Sequence, residues 1–254
     1  LWKVCIRDGG YLVKLLSSYI YNMKIVTWNI RHGGGKRVKD IVGVIGSYSE
    51  VDVFIITEFR NNNNKDVIIK ALNEVGFTCI QTTNSESKVN SVLIAAKFDY
   101  DVELFEELGE HKQRVIKLKT PFISIYGCYF PQKKLKSIIF EFILKEIKSN
   151  PKENILIVGD FNTGKHYLDE NGATFYCSEY FDKIEKAGLT DAWRLINGSK
   201  KEFSWFSNAG NGFRIDHFFV SNSIKGRVIK CQYDHSLREN KFSDHSLMTL
   251  QLYD

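Results

Sequence analysis

The chain is poor in the residues that would divide it, staple it or anchor it. Proline occurs 3 times in 254 residues. No Pro-, Gly- or Ser-rich stretch separates one half from the other, so one domain is expected rather than two. Five cysteines are scattered without a C-x-x-C pair. That argues against a disulfide framework and a thiolate zinc site, and makes a reducing cytoplasm the expected setting. No run approaches the ~18 apolar residues of a membrane-spanning helix. Neither charge sign dominates: 35 Lys and Arg stand against 30 Asp and Glu, a net +5. Such a balance suits an anionic partner but does not demonstrate one. No protein partner can be inferred, and a monomer is expected.

What is present is the composition of a globular protein, 43% hydrophobic and 26% charged. Residues 1–22 stand apart. Their apolar stretch "YLVKLLSSYIY" is interrupted by Lys14 and lacks a small-residue cleavage pattern, which argues against a signal peptide. Met23 then opens a clean strand, so residues 1–22 are expected to be a non-native or disordered extension and 23–254 the domain.

From Met23 onward, apolar strand-like runs alternate with helical patterns. "KIVTW", "VDVFIIT", "SVLIAA", "RVIKLK", "FISIYGCYF" and "NILIV" read as strands. The last quarter, "EFSWFS", "FRIDHFFVS", "RVIKCQY" and "LMTLQLY", reads as strand almost throughout. Val38, Ile41, Val42 and Ile45 have the spacing of an amphipathic helix. Helices are also expected in "KDVIIKALNEV", "KKLKSIIFEFILKEIKS" and "SEYFDKIEKAG", with Gly76 and Gly188 as stops. The asparagines from Asn61 to Asn64 read as a solvated loop, and "RHGGGK" as a glycine-rich turn. About nine strands and four helices, with strands often following one another directly, imply an α/β fold of two packed mixed sheets flanked by helices.

"GDFNTGK", from Gly159 to Lys165, nearly matches a phosphate-cradling loop. However, the hydroxyl residue after the lysine is replaced by His166, and Asp160 would compete with phosphate for the backbone donors. The alternatives are a plain turn and an acid displayed beyond a buried strand. Similar placements recur. Asn29 follows "KIVTW", Glu58 follows "VFIIT", Tyr129 ends "ISIYGC", and Asp160 and Asn162 follow "ILIV". Asp244 and His245 precede the final strand, and Asp216 interrupts an apolar one. A buried carboxylate there needs a partner. Hard oxygen ligands suit Mg²⁺, or Mn²⁺ in its place. With a histidine and neutral donors, the set suits metal-assisted attack of water on a phosphoester.

The ordered motifs "IVTWNI", "IITEF", "CYFPQ", "IVGDFN", "FRIDHFFVS" and "FSDHSLM" resemble the endonuclease/exonuclease/phosphatase superfamily, nearest to its exonuclease III and AP endonuclease branch. The resemblance runs from about Met23 to the C-terminus. It implies a four-layer α/β sandwich. It also implies Glu58 as the main metal ligand with Asn29 beside it and Asp244 nearby. Asp160 would activate the water, with Asn162 placing it. Asp216 would pair with His245 at the phosphate, and Tyr129 would touch the phosphate. By the same resemblance Trp205, Phe213 and Ile215 would line a pocket for a flipped sugar. The alternative for these aromatics is core packing. "RHGGG", carrying Arg31 and His32, departs from the branch's usual sequence and would let these residues and backbone amides approach a phosphate. The expected substrate is DNA. Two alternatives remain: a superfamily enzyme acting on a small or lipid phosphoester, and a non-catalytic binding module.

Overall fold

The computed structural model describes residues 23–83 and 86–253. The expectation for residues 1–22 lies outside the described residues.

One sheet contains β1 (Lys24–Asn29), β2 (Val53–Phe59), β3 (Cys79–Thr82), β4 (Ser91–Ala96), β13 (Val228–Asp234) and β14 (Leu247–Leu252). Its order is β13-β14-β1-β2-β4-β3. The other contains β5 (Asp101–Leu104), β6 (Val115–Lys119), β7 (Ser124–Tyr129), β8 (Ile155–Asp160), β9 (Leu189–Asp191) and β12 (Asp216–Ser221), in the order β5-β6-β7-β8-β12-β9. Both are mixed. β1 and β2 run parallel, as do β7 and β8, while their other neighbours are antiparallel. A small ribbon pairs β10 (Trp205–Phe206) with β11 (Gly212–Phe213).

Three apolar clusters explain the layering. One lies between the sheets and joins Ile25, Ile55 and Ile94 to Ile125, Leu156 and Phe218. A second sets Val26, Phe54 and Leu93 against α1 (Val38–Ser47) and α2 (Lys65–Glu74). The third sets Tyr126, Ile157 and Phe219 against α3 (Lys136–Ser149) and α4 (Tyr180–Lys186). Each central strand therefore buries both faces, which is why these strands read as continuous apolar runs. The result is a helix–sheet–sheet–helix sandwich of four layers. Two short helices, α5 (Ala192–Asn197) and α6 (Ser236–Glu239), complete the fold.

Several expectations need correction. "EFSWFS" is strand only at Trp205–Phe206. "FRIDHFFVS" divides, with Phe213 ending β11 and Asp216 starting β12. The cause lies at Arg214, whose fully buried guanidinium is drawn between Asp169 (Nε–Oδ1 2.7 Å) and Asp191 (Nη2–Oδ2 2.5 Å). Asp191 also caps α5, accepting from the Trp193 and Arg194 amides. Asn62 and Asn64 are half-buried rather than solvated. Asn64 Nδ2 donates to the carbonyls of Gly33 and Gly35, each at 2.9 Å, and so pins the glycine-rich segment. In α1, Val44 takes the deep position where the periodicity suggested Val42. The edge strands β3, β5 and β9 escaped the sequence reading because they are short and carry few apolar residues.

Candidate active site at the strand ends of both sheets

Register brings the polar residues together. In parallel β1 and β2, Asn29 lies opposite Thr57, next to Glu58. In parallel β7 and β8, Tyr129 lies opposite Asp160, and antiparallel β12 sets Asp216 against Asp160. Gly159 makes this close fit achievable. Its φ is +137°, and a Cβ there would sit 2.0 Å from the Cys128 carbonyl oxygen. The ladder between β2 and β4 shifts register between Thr57 and Phe59. Glu58 occupies that shift with a φ of 53°, a strained conformation for a side-chain-bearing residue. Asn162 has the same φ of 53°.

The side chains form one hydrogen-bonded set. Asn29 Nδ2 donates to Asp160 Oδ2 at 2.9 Å and to Glu58 Oε1 at 3.2 Å. Asp160 Oδ1 accepts from the Asn162 amide at 2.8 Å. Tyr129 OH donates to Glu58 Oε1 at 3.3 Å. His245 Nδ1 meets Asp216 Oδ2 at 2.9 Å, and both residues are buried. Ser243 Oγ donates to the Asn29 carbonyl at 2.6 Å and accepts from the His245 amide at 3.2 Å, so the last loop is tied to β1.

Electrostatics follow from this crowding. Burial pushes the Asp160 carboxyl well above its ordinary value, with Asp216 and Glu58 adding to the rise and His245 opposing it. Burial alone would strip the proton from His245, but Asp216, joined by Asp160 and Asp244, outweighs it and holds the imidazolium above its usual range. Burial, and then Glu58, raise the Tyr129 phenol, which stays a neutral donor.

Glu58, Asn162, Asp244 and His245 line a cavity of about 320 Å³ whose other side is apolar. Trp205, Phe213 and Ile215 form that side, and the turn Thr174–Tyr176, whose Phe175 ring touches Phe213, continues the lining. Trp205 and Phe213 are half-buried, with ring centroids 5.7 Å apart, so they are not core residues. Arg31 and His32 sit beside the acids. Arg31 Nε is 3.6 Å from Asp244, and His32 Nδ1 is 2.9 Å from Glu58. Gly33 and Gly34 serve packing, because a Cβ on Gly33 would meet Asn62 at 2.6 Å and one on Gly34 would meet Ile41 at 2.6 Å.

Sequence reasoning missed several neighbours. Lys136 is almost fully buried, donates to the Asn162 carbonyl and lines the cavity. Burial pushes its ammonium down to about 8 against the pull of Asp160. Gln132 binds the Asn162 side chain. Asn90, held by Arg60, donates to Tyr129 at 3.2 Å. Gln132 ends the quoted motif "CYFPQ", which was a usable signal. Lys136 looked like one more surface lysine on an amphipathic helix.

Four carboxylates, Glu58, Asp160, Asp216 and Asp244, gather here with His245 and Arg31 as counter-charges. That surplus of oxygen donors fits a hard divalent cation. Among the described residues the tightest set of ligand atoms belongs to Asp160, Asp216 and His245, all within 4.8 Å of one another. His245 and Asp216 are bonded to each other, while Glu58 and Asp244 line the cavity, where a cation would replace their contacts to His32 and Arg31.

A family model described as Endonuclease/Exonuclease/phosphatase family matches residues 26–245. The chain belongs to that family. Membership places it among hydrolases of phosphoester bonds. Solved structures share the fold. The 3′ phosphatase NExo from Neisseria, bound to a product DNA hairpin, is 20% identical with a TM-score of 0.79, covering 91% of this chain and 99% of that one. The 3′-5′ exonuclease NExo from Neisseria meningitidis is also 20% identical, with a TM-score of 0.78 over 91% and 100% of the two chains. An AP endonuclease from Archaeoglobus fulgidus is 19% identical, with a TM-score of 0.73 over 91% and 99%. No helix among the described residues is long and apolar enough to cross a membrane.

Proposed function

We propose that this family member hydrolyses phosphodiester bonds in DNA, holding one nucleotide in the aromatic cup beside its acidic centre. The observation that carries the reading is the shared cavity. The acid–histidine face of Glu58, Asp244 and His245 and the apolar face of Trp205, Phe213 and Ile215 line the same space. A small phosphate monoester would need only the first face. An extruded sugar or base would need both.

Glu58, Asn29 and Asp244 would hold the divalent cation, Mg²⁺ or Mn²⁺. When bound, it would neutralise charge on the phosphate oxygens. Asp160, its basicity raised by burial, takes the proton from the attacking water. Asn162, tied to Asp160 through backbone and side chain, positions that water. His245, kept protonated by Asp216, donates to a phosphoryl oxygen where negative charge develops. Tyr129, whose phenol stays protonated, adds a neutral donor beside it. Neighbours of the same fold that act on DNA support the choice of substrate.

The test is a panel incubated with Mg²⁺: abasic duplex, intact duplex, single-stranded DNA, RNA and an inositol phosphate. Cleavage of one or more DNA substrates is expected. Hydrolysis of the inositol phosphate alone would overturn the DNA reading in favour of a small-molecule phosphoesterase.

A further inference from the structure

Both aromatic walls of the cup hang from one residue, Glu170. Its backbone forms a bridge with Phe213 on one wall. Its carboxylate holds the other wall. It accepts from the amides of Thr174 at 2.8 Å and Phe175 at 3.1 Å and from the Thr174 hydroxyl, and it meets His166 Nδ1 at 3.0 Å. The Phe175 and Phe213 rings then meet nearly edge to face, with centroids 5.6 Å apart.

The placement is unusual for a surface turn. Asn171, Ala173, Thr174 and Tyr176 are exposed, yet Glu170 itself is only 2% accessible. Burying a carboxylate is unfavourable unless donors replace its water. Here four donors do so, and three of them come from the two residues that begin the wall. The ends of the turn are fixed separately. The Tyr167 amide donates to the Gly172 carbonyl at 2.9 Å, and Thr163 Oγ1 donates to the Tyr176 carbonyl at 2.8 Å. The middle of the wall, which faces Phe213, depends on Glu170.

We propose that Glu170 is a positioning residue that fixes the width of the cup, and through it the preference for a phosphodiester carrying a nucleoside. The inference rests on the cup being the nucleotide subsite. Glu170→Gln retains size but turns an amide NH₂ towards donors. Thr174→Val removes a single donor from an exposed position and leaves the rest of the turn intact.

Two esters with the same leaving group separate positioning from folding: thymidine 5′-(p-nitrophenyl phosphate) and methyl p-nitrophenyl phosphate, assayed with Mg²⁺. Glu170→Gln is expected to raise KM for the thymidine ester about tenfold, the effect of one lost charge-assisted hydrogen bond. Its kcat should change less than about threefold, as should kcat/KM for the methyl ester. Thr174→Val should shift the same ratio in the same direction by a smaller factor. Equal losses on both esters, in step with the folded fraction, would overturn the proposal, as would an unchanged preference in both variants. Affinity for dTMP, measured by calorimetry without turnover, reads the cup independently. Wild type that binds dTMP but hydrolyses neither ester would defeat the phosphodiesterase reading, while weaker dTMP binding by Glu170→Gln would still support its role.

Discussion

Replacing Asp169 with Asn tests whether the buried ion cluster beneath the active-site loop holds that loop in place. Asp169 is fully buried, and its Oδ1 accepts from Arg214 Nε at 2.7 Å and also from Arg194. Its Oδ2 accepts from the Lys165 amide at 2.8 Å, five residues beyond Asp160. An asparagine has one oxygen for these two sides. If that oxygen faces the arginines, its NH₂ faces the Lys165 N–H. Arg214 keeps Asp191, so the loss should lie near the lower end of the 3–5 kcal/mol for breaking a buried pair, about 3 kcal/mol. For a chain of this size that is a Tm decrease of roughly 6–12 °C, measurable by circular dichroism at neutral pH. The pH dependence gives a second check. Burial opposes ionisation of Asp169 and Asp191, but Arg214 and His217 together outweigh it and hold both pKa values below the ordinary range. With depressed folded-state pKa values, their stabilisation is fully present above the unfolded value of about 3.9 and is lost as pH falls through the folded values. The Tm gap between wild type and variant should therefore stay constant from neutral pH to about 5 and narrow only below about 4. A gap under about 2 °C at neutral pH, or one that persists unchanged into strong acid, would refute the reasoning.

Asp160→Asn should lower kcat on DNA by about 10²–10⁴, the loss of a general base, with little change in DNA affinity by filter binding; normal turnover would return "GDFN" to an ordinary turn. Chelation with EDTA should abolish hydrolysis, and Mg²⁺ or Mn²⁺ should restore it; full activity in excess EDTA would defeat the metal assignment. Phe213→Ala should weaken binding of abasic DNA while destabilising the fold by less than the 3–5 kcal/mol of a fully buried phenylalanine, because the ring is half-buried against Phe175 and Trp205. Loss of all activities in proportion to unfolding, followed by thermal melts, would make Phe213 a core residue after all.

The sequence alone determined the layers and the polar ends of the central strands. Strands such as "KIVTW", "VFIIT" and "ILIV" bury both faces, so their apolar runs are unbroken and their ends stand out where Asn29, Glu58 and Asp160 begin. Tertiary structure decided what depends on contacts between distant segments. Arg214 breaks what reads as one continuous strand because Asp169 and Asp191, 45 and 23 residues earlier, pull its guanidinium inward. Asn64 fixes a glycine-rich segment about 30 residues upstream, and Lys136 turns an apparently solvent-facing position into part of the cavity. Glu170 gave no signal at all, since two adjacent acids in "LDENG" read as a surface turn. Its role exists only because the fold brings the Phe213 strand against its backbone while its carboxylate reaches the next turn. Periodicity records which face of an element is apolar. It does not record which distant donor will meet a carboxylate once water has been excluded, and that pairing is what makes a buried charge tolerable.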